Sequence, residues 1–217
     1  MLQAGENMNT ITTHTAGLGV LVVAVLALVP LSGCTDWIKA VFYIDHMETE
    51  NRTSRMHVDR IIDALELGPG RRVADIGAGS GLFTRKMAER VSPGGTVYAI
   101  DINKKLLGHI EKSSEGLPVR TVLAVEDDPK VPSRVDLIFI CDTLHYIDKP
   151  ARYVEKMAMH LDPGGRIAVI DFKKNWPPMS NRFTVDELKG WMKGAGLVAT
   201  REFDFIEDEF FIVFVKK

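Results

Sequence analysis

The chain has 217 residues, of which 46% are hydrophobic and 26% charged, enough for one globular domain and an additional segment. Its formal net charge of −2 and its pI near 6.3 exclude the broad basic face that nucleic acid binding requires. The only cysteines, Cys34 and Cys141, are too few for a disulfide framework or a zinc cluster, so we expect no metal site.

An apolar, uncharged segment from Ala16 to Leu31 predicts a signal sequence or a membrane anchor outside the globular domain. It is followed by Gly33 and Cys34, and the run Leu-Ser-Gly-Cys resembles the lipobox of bacterial lipoproteins, in which the cysteine is acylated. Residues 1–15 contain no Lys or Arg, whereas Lys39 and several arginines follow the segment, and positive flanks tend to stay cytoplasmic. We therefore expect residues 1–34 to tether a cytoplasmic domain to a membrane, with an exported lipoprotein as the alternative.

Beyond a linker over residues 35–52, the hydrophobic pattern alternates between strand and helix periods, which predicts one domain over 53–217. The predicted helices cover 53–67, 82–91, 104–112, 151–161 and 185–195, and the predicted strands cover 72–76, 97–101, 119–125, 135–141, 166–172, 197–205 and 209–215. Repeated strand–helix units predict a parallel sheet with right-handed crossovers. Only three residues join the last two strands, too few for a crossover helix, so these strands should pair antiparallel.

A glycine-rich turn follows the first predicted strand. The run Val73 to Gly81 reads as a buried strand that ends in Asp75, followed by Gly77, Gly79 and Gly81 before a helix. Glycine permits a tight turn and a close approach of ligand to backbone, and the amides at the start of a helix point toward that ligand. A second strand ends in Asp101, about 20 residues beyond the glycines, where a carboxylate can bind both hydroxyls of a ribose. The pattern predicts a site for a nucleotide-like cofactor.

The spacing of these residues separates two classes of cofactor. A dinucleotide site has the pattern G-x-G-x-x-G, but here the third glycine comes one residue early and Asp75 would repel a pyrophosphate. The pattern D-x-G-x-G-x-G resembles the first motif of the class I S-adenosylmethionine-dependent methyltransferases, whose second strand ends in a ribose-binding acid. The resemblance extends over residues 55–217. Within this family, the domain is similar to the subgroup that includes the quinone-ring methyltransferases. It implies an α/β, Rossmann-like three-layer sandwich with a seven-stranded sheet in the order 3-2-1-4-5-7-6 and a terminal antiparallel hairpin.

The same resemblance implies which residues hold S-adenosylmethionine. All of them follow the carboxyl ends of predicted strands, where open α/β sheets bind ligands. The expected cofactor-binding residues are Asp75, Gly77, Gly79 and Gly81 for the methionine part, Asp101 for the ribose, Ile102 and Asp127 for the adenine, and Asp142 near the sulfonium. A solvated turn is the alternative for Asp127 and its acidic neighbours.

Two further residues are candidates for the chemistry. His145 follows the fourth predicted strand and is the candidate base, because an imidazole titrates near neutral pH. A packing or helix-capping role is its alternative. Asp171 ends the fifth predicted strand and is expected to orient the acceptor, or else to pair with Lys173 or Lys174. The proline-rich loop over residues 173–182 is expected to form the acceptor side of the site.

These observations lead to one principal hypothesis and two competitors. The principal hypothesis is a membrane-tethered methyltransferase for a small, apolar or membrane-associated acceptor, with S-adenosylmethionine as its cofactor. A cytoplasmic domain agrees with the cytoplasmic synthesis of that cofactor. One competitor is a non-catalytic, cofactor-binding lipoprotein that acts through partners, and the other is a nicotinamide-dependent reductase.

Overall fold

The computed structural model describes residues 44–173 and 183–217. The predicted anchor over residues 1–34 and most of the predicted acceptor loop, residues 174–182, lie outside the described residues. Within residues 44–173 and 183–217, none of the helices has both the length and the apolar character needed to cross a bilayer.

Seven strands form a single sheet in the order β3-β2-β1-β4-β5-β7-β6, which confirms the predicted fold class and strand order. The strands are β1 Arg72–Ile76, β2 Thr96–Asp101, β3 Val119–Leu123, β4 Val135–Cys141, β5 Leu161–Phe172, β6 Leu197–Phe203 and β7 Glu209–Lys216. Strands β1 to β5 are parallel, whereas β7 is antiparallel to both β5 and β6. The carboxyl ends of β1, β2, β4 and β5 therefore meet at one edge of the sheet, together with the first residue of β7.

Helices cover both faces of this sheet. They are α1 Glu50–Arg55, α2 Val58–Ala64, α3 Leu82–Val91, α4 Lys104–Ser113, α5 Pro150–Met159 and α6 Val185–Gly194, with a 3-10 turn at Leu144–Tyr146. The apolar residues of α2 and α3 pack on one face of the sheet, where α4 also packs, and those of α5 and α6 pack on the other face. The central strands are buried on both sides, as their continuous apolar sequence requires.

The predicted helix over residues 53–67 is wrong, because the chain forms two shorter helices there. It breaks at His57, whose φ of 53° places it in the left-handed region. This turn lets Met56 and Ile61 both reach the core on either side of the break, with exposures of 1% and 0%. The His57 ring packs edge-on against Phe205. Tertiary packing thus overrides a helical period that looks continuous in the sequence.

The segment Asp162–Gly165, which lies between the predicted helix over 151–161 and the predicted strand over 166–172, is an irregularity inside β5. The pairing of β4 with β5 moves from Val135 opposite Leu161 to Leu137 opposite Arg166. Four residues are therefore bulged out between two paired positions, and a proline and two glycines suit such a bulge.

Two glycines provide a matched test of the packing. A Cβ at Gly95 would lie 2.4 Å from the carbonyl oxygen of Arg71, whereas a Cβ at Gly108, within α4, would meet nothing within 4 Å. We expect Gly95→Ala to lower the free energy of unfolding by about 2 kcal/mol, as overpacking does. Gly108→Ala should raise it by about 0.5–1 kcal/mol, because alanine favours a helix. Urea unfolding of the full chain measures both, and equal effects would contradict this account.

Candidate active site

The glycine turn between β1 and α3 has an unusual backbone. Gly77, Gly79 and Gly81 have φ values of +72°, +58° and +80°. The amides of Gly77 and Ala78 donate to the carbonyl oxygen of Ile100 on β2, at 2.8 and 3.1 Å. These φ values favour glycine strongly over residues with a Cβ, so the three glycines are needed for the turn itself.

Each of these glycines also lies against another part of the protein. A Cβ at Gly77 would come within 2.1 Å of the Thr143 hydroxyl oxygen, and one at Gly79 within 2.8 Å of the Met47 methyl carbon. A Cβ at Gly81 would meet Ile110 on α4 at 2.8 Å. The absence of side chains therefore allows close packing around the turn, in addition to the close approach of a ligand that the sequence predicts.

Asp75 lies beneath the turn and is 3% exposed. Its carboxylate accepts a short hydrogen bond from the hydroxyl of Thr84 in α3. Burial raises the pKa of Asp75 from its ordinary value of 3.8 to about 7, against the opposing effect of the Thr84 hydrogen bond. The structure therefore shows Asp75 joining β1 to α3, while its predicted contact with the cofactor stays a prediction.

Asp101 ends β2 and holds the turn from the other side. One carboxylate oxygen accepts from the Gly79 amide at 3.0 Å, and the other accepts from the Asn103 amide at 2.8 Å. The residue is 9% exposed, and burial raises the pKa of Asp101 against the effect of these hydrogen bonds. The carboxylate lies at the sheet edge beside the glycines, as its predicted contact with a ribose requires.

Large apolar side chains are exposed beside Asp101. Ile102 is 60% exposed, as its predicted packing on a flat ring would require, and Leu123 and Val125 are 54% and 46% exposed. The last two residues were not predicted as site residues, because the sequence assigned them only to the third predicted strand. The pairing of Asp101 with Leu123 could have identified them, since it brings the end of β3 beside the end of β2.

Asp127 lies in the turn after β3, where Val125 and Asp128 form an isolated bridge. Its side chain is 85% exposed, and one of its carboxylate oxygens is 3.6 Å from the Lys156 ammonium. The structure thus keeps Asp127 at the same edge of the sheet, in a solvated turn. Its contact with an adenine amino group stays a prediction.

His145 and Asp171 lie in direct contact. His145 Nδ1 is 2.7 Å from one Asp171 carboxylate oxygen, and the backbone amide of His145 donates to the other at 3.3 Å. Both side chains are almost completely buried, with exposures of 2% and 1%. The sequence predicted both residues but not their pairing, which arises because β4 and β5 are adjacent and parallel.

Asp142, directly after β4, has a φ of 49° and a partner that the sequence did not suggest. One carboxylate oxygen is 2.6 Å from the guanidinium of Arg52 in α1. The other oxygen is buried and has no hydrogen-bond partner among the described residues. Burial raises the pKa of Asp142, while Arg52 acts in the opposite direction.

Arg52 belongs to a stretch that the sequence predicted to be a linker. In the structure, residues 44–55, here called the strap, lie across the glycine turn. Glu48 forms an ion pair with Arg85 of α3 at 2.6 Å, and the Arg52 guanidinium donates to the Met47 carbonyl oxygen at 3.3 Å. Together with the contact of Met47 at Gly79, these bonds make the strap a wall of the site.

Glu209, the first residue of β7, is a further buried acid that sequence reasoning missed. It pairs with Phe172 of β5, next to Asp171, and is 4% exposed. Burial, followed by the negative charge of Asp142, raises the pKa of Glu209 from 4.5 to about 8. Potential ligand atoms of Cys141, Asp142 and Glu209 lie within 4.8 Å of one another. An acid at the start of a strand carries no sequence signal that distinguishes it from a surface residue.

The buried carboxyl of Asp75 predicts a dependence of stability on pH. Because its pKa is raised, the folded state keeps a proton that the unfolded state loses, so stability falls as pH rises from 3.8 toward about 7. Asp75→Asn keeps an oxygen that can accept from Thr84 but has no proton to lose. The free energy of unfolding of this variant, minus that of wild type, should therefore rise by about 1.4 kcal/mol for each pH unit between 3.8 and about 7. Urea unfolding across the window measures the difference, and parallel pH profiles would contradict it.

Comparison with known families and structures agrees with this geometry. A family model described as a methyltransferase domain matches residues 74–167. An uncharacterized methyltransferase of Mycobacterium tuberculosis is 32% identical over 149 residues, or 68% of this chain and 54% of that protein. A ubiquinone/menaquinone biosynthesis C-methyltransferase of Laribacter hongkongensis is 32% identical over 138 residues, or 60% of this chain and 55% of that protein. The chain thus spans about half the length of these relatives.

Among solved structures, an S-adenosylmethionine-dependent methyltransferase from Aquifex aeolicus superimposes with a TM-score of 0.71. The match covers 80% of this chain and 97% of that one at 22% identity, so it supports the fold alone. The sheet order, the glycine motif and the family match all agree with the resemblance seen in the sequence. The domain of this chain belongs to the class I S-adenosylmethionine-dependent methyltransferases.

Proposed function

We propose that the chain is an active methyltransferase that transfers a methyl group from S-adenosylmethionine to a small, apolar acceptor with a hydroxylated ring, such as a quinone precursor in its reduced form. The observation that carries this proposal is the buried His145–Asp171 pair at the carboxyl ends of β4 and β5. A protein that only bound the cofactor would need no base at this position.

The residues at the sheet edge fit the cofactor. Asp101 offers carboxylate oxygens for ribose hydroxyls, and the exposed Ile102, Leu123 and Val125 offer an apolar surface for a flat adenine ring. The backbone of the glycine turn allows close approach on the methionine side. When bound, S-adenosylmethionine supplies a methyl group that is already electrophilic, because it is attached to a positively charged sulfur.

The protein's own contribution is to orient the acceptor, exclude water and accept a proton. Asp171 accepts the hydrogen on His145 Nδ1, which makes Nε2 the ring nitrogen that takes a proton. Methylation of a ring carbon requires loss of the hydrogen on that carbon, and Nε2 is the proposed acceptor of this proton. Asp171 then stabilises the resulting imidazolium.

Two observations support an acceptor with an apolar ring. Tyr146 lies next to His145, with ring centroids 4.0 Å apart, and is 65% exposed, so it presents an aromatic face beside the proposed base. Aromatic faces stack favourably with flat rings. The second observation is the similarity to a relative whose name assigns it to C-methylation in ubiquinone and menaquinone biosynthesis.

The proposal predicts carbon methylation of naphthalene-1,4-diol, used as a probe and kept reduced without oxygen. The full chain, given deuterium-labelled S-adenosylmethionine, should form a ring-methylated product that mass spectrometry detects. His145→Ala should lower kcat by about 100-fold, as the loss of a general base does. It should leave the affinity for S-adenosylhomocysteine, measured by calorimetry, within about threefold, because no cofactor contact is removed.

Two variants serve as controls. His109→Ala, on α4 and outside the site, should keep wild-type turnover. Asp101→Ala should lose at least about 100-fold in affinity for S-adenosylhomocysteine, since two charge-assisted hydrogen bonds of about 1.5 kcal/mol each to the ribose disappear and the Gly79 amide loses its acceptor. Unchanged turnover in His145→Ala would remove this residue from catalysis, and unchanged affinity in Asp101→Ala would overturn the assigned cofactor site.

A second candidate function is a cofactor-binding module without transfer activity. The observation that favours it is the burial of His145, whose side chain is only 2% exposed. A buried histidine fits a packing role as well as a catalytic one. Tight binding of S-adenosylhomocysteine without transfer to any ring acceptor in a membrane extract would favour this module.

We further propose that residues 1–34 tether the chain to a membrane with its domain in the cytoplasm, where lipid-soluble acceptors and the cofactor are both within reach. The apolar run and the positive charges that follow it support this proposal. Mass spectrometry of the native amino terminus should find the leader intact. An acylated Cys34 at a new amino terminus would instead establish an exported lipoprotein.

A further inference from the structure

Glu209, Asp142 and Cys141 form an acidic cluster at the sheet edge, beside the His145–Asp171 pair. Asp142 follows β4, and Glu209 begins β7 opposite Phe172, the last residue of β5. Ligand atoms of the three residues lie within 4.8 Å of one another. One small group could therefore reach both carboxyls, since a hydrogen bond between oxygens is about 2.8 Å long.

Two oxygen atoms of this cluster have unused hydrogen-bonding capacity. Oε2 of Glu209 and Oδ1 of Asp142 are both buried, and neither has a partner within the described part of the chain. Glu209 as a whole is only 4% exposed. Buried polar atoms in native proteins nearly always have a partner, so two such atoms in one cluster of neighbouring carboxyls indicate a ligand that supplies it.

The charges around the cluster determine the kind of ligand. Arg52 balances the charge of Asp142 at 2.6 Å, which favours an Asp142 carboxylate that accepts hydrogen bonds. The charged groups that face Glu209 are Asp142, Asp171, Arg52 and Arg55. Burial and the two neighbouring acids raise the pKa of Glu209 to about 8, so this carboxyl carries a proton at neutral pH and can donate it in a hydrogen bond.

A metal ion fits the cluster less well than a neutral group does. Burial raises the pKa of the Cys141 thiol well above its ordinary value, so the thiol stays protonated, and metals bind the thiolate. The Arg52 guanidinium also occupies one oxygen of Asp142 and would repel a second cation. A hydroxyl group, by contrast, offers one hydrogen to Asp142 and a lone pair to the protonated Glu209.

We propose that Asp142 and Glu209 together bind a hydroxyl group on the ring of the methyl acceptor. This inference rests on the proposed function and adds the residues that select the acceptor. The two carboxyls lie beside the proposed base, so a hydroxyl held between them would fix the orientation of the ring toward His145. Glu209 is then a specificity-determining residue. It is the first residue of β7, the antiparallel strand between β5 and β6.

Binding of two ring compounds of similar shape tests the proposal. Naphthalene-1,4-diol carries hydroxyl groups, whereas 1,4-dimethylnaphthalene has methyl groups of similar size in their place. Their dissociation constants are measured on the full chain saturated with S-adenosylhomocysteine, so that no turnover is needed. Relative to wild type, Glu209→Leu should shift the ratio of the two constants at least tenfold against the diol. The affinity for S-adenosylhomocysteine should stay unchanged.

Matched variants separate a hydroxyl ligand from the alternatives. Glu209→Gln keeps a donor and should hold the ratio within threefold of wild type, and so should Glu207→Leu on the neighbouring exposed residue. A shift in Glu209→Gln as large as in Glu209→Leu would mean that an ionised carboxylate is required, and would overturn the proposal. Stoichiometric Zn²⁺ binding that Glu209→Gln abolishes would also overturn it.

Infrared difference spectra give a measurement that does not depend on the folding of Glu209→Leu. Binding of the diol to the wild-type protein should shift the carbonyl stretch of a protonated carboxyl group, whereas 1,4-dimethylnaphthalene should not. The shift should be missing in Glu209→Gln, and its persistence there would overturn the proposal. If the diol binds with this signature but is never methylated, the recognition site stands and the proposed function fails.

Discussion

The hydrogen bond between the Asp101 carboxylate and the Gly79 amide is the contact on which the geometry of the site depends. Asp101 ends β2, and Gly79 lies in the middle of the turn that leaves β1. The neighbouring amides of Gly77 and Ala78 donate to the Ile100 carbonyl, so two adjacent strands hold one turn. Because this turn uses positive φ values, its shape needs both the glycines and the acceptors that face them.

The strap packs on that turn, which explains why residues before the predicted domain belong to the site. Met47 packs on Gly79, Glu48 pairs with Arg85, and Arg52 pairs with Asp142. The ion pairs join segments that are far apart in sequence, and both partners of the Arg52–Asp142 pair are largely shielded from water. Shielded, charge-assisted bonds are stronger than exposed ones. The wall of the site over the glycine turn is therefore built from the amino-terminal side of the domain.

Buried acids accumulate at this edge of the sheet at a cost to stability. Burial raises the pKa of Asp75, Asp142 and Glu209, which means that ionising each of them opposes folding. Apolar residues would pack there at lower cost. Groups of this kind cluster where a protein binds ligands or moves protons, which agrees with their position beside the His145–Asp171 pair.

Much of the fold was visible in the sequence, because strands buried on both faces are continuously apolar and glycine turns have a local signature. The pattern through Asp75 and Gly81, the acid at the end of β2 and the short final hairpin carried the resemblance to a family, and that resemblance implied the class of fold and its strand order. These features depend on residues close in sequence, for which spacing alone reports geometry. The break at His57 was not visible, because the helical period continues across it.

Tertiary structure alone decided which distant residues meet. The pairing of β5 with β7 brings Glu209 to the edge where Asp142 and Asp171 lie, and the strap brings Arg52 to Asp142. Neither residue has a local signal, since an acid at a strand start or an arginine in a short helix is typical of a surface. The sequence by itself predicted the cofactor half of the site, because that half is built from consecutive loops, and the contacts of its residues with the cofactor stay predictions. The proposed acceptor half depends on contacts across the sheet, where burial raises the pKa of Asp142 and of Glu209.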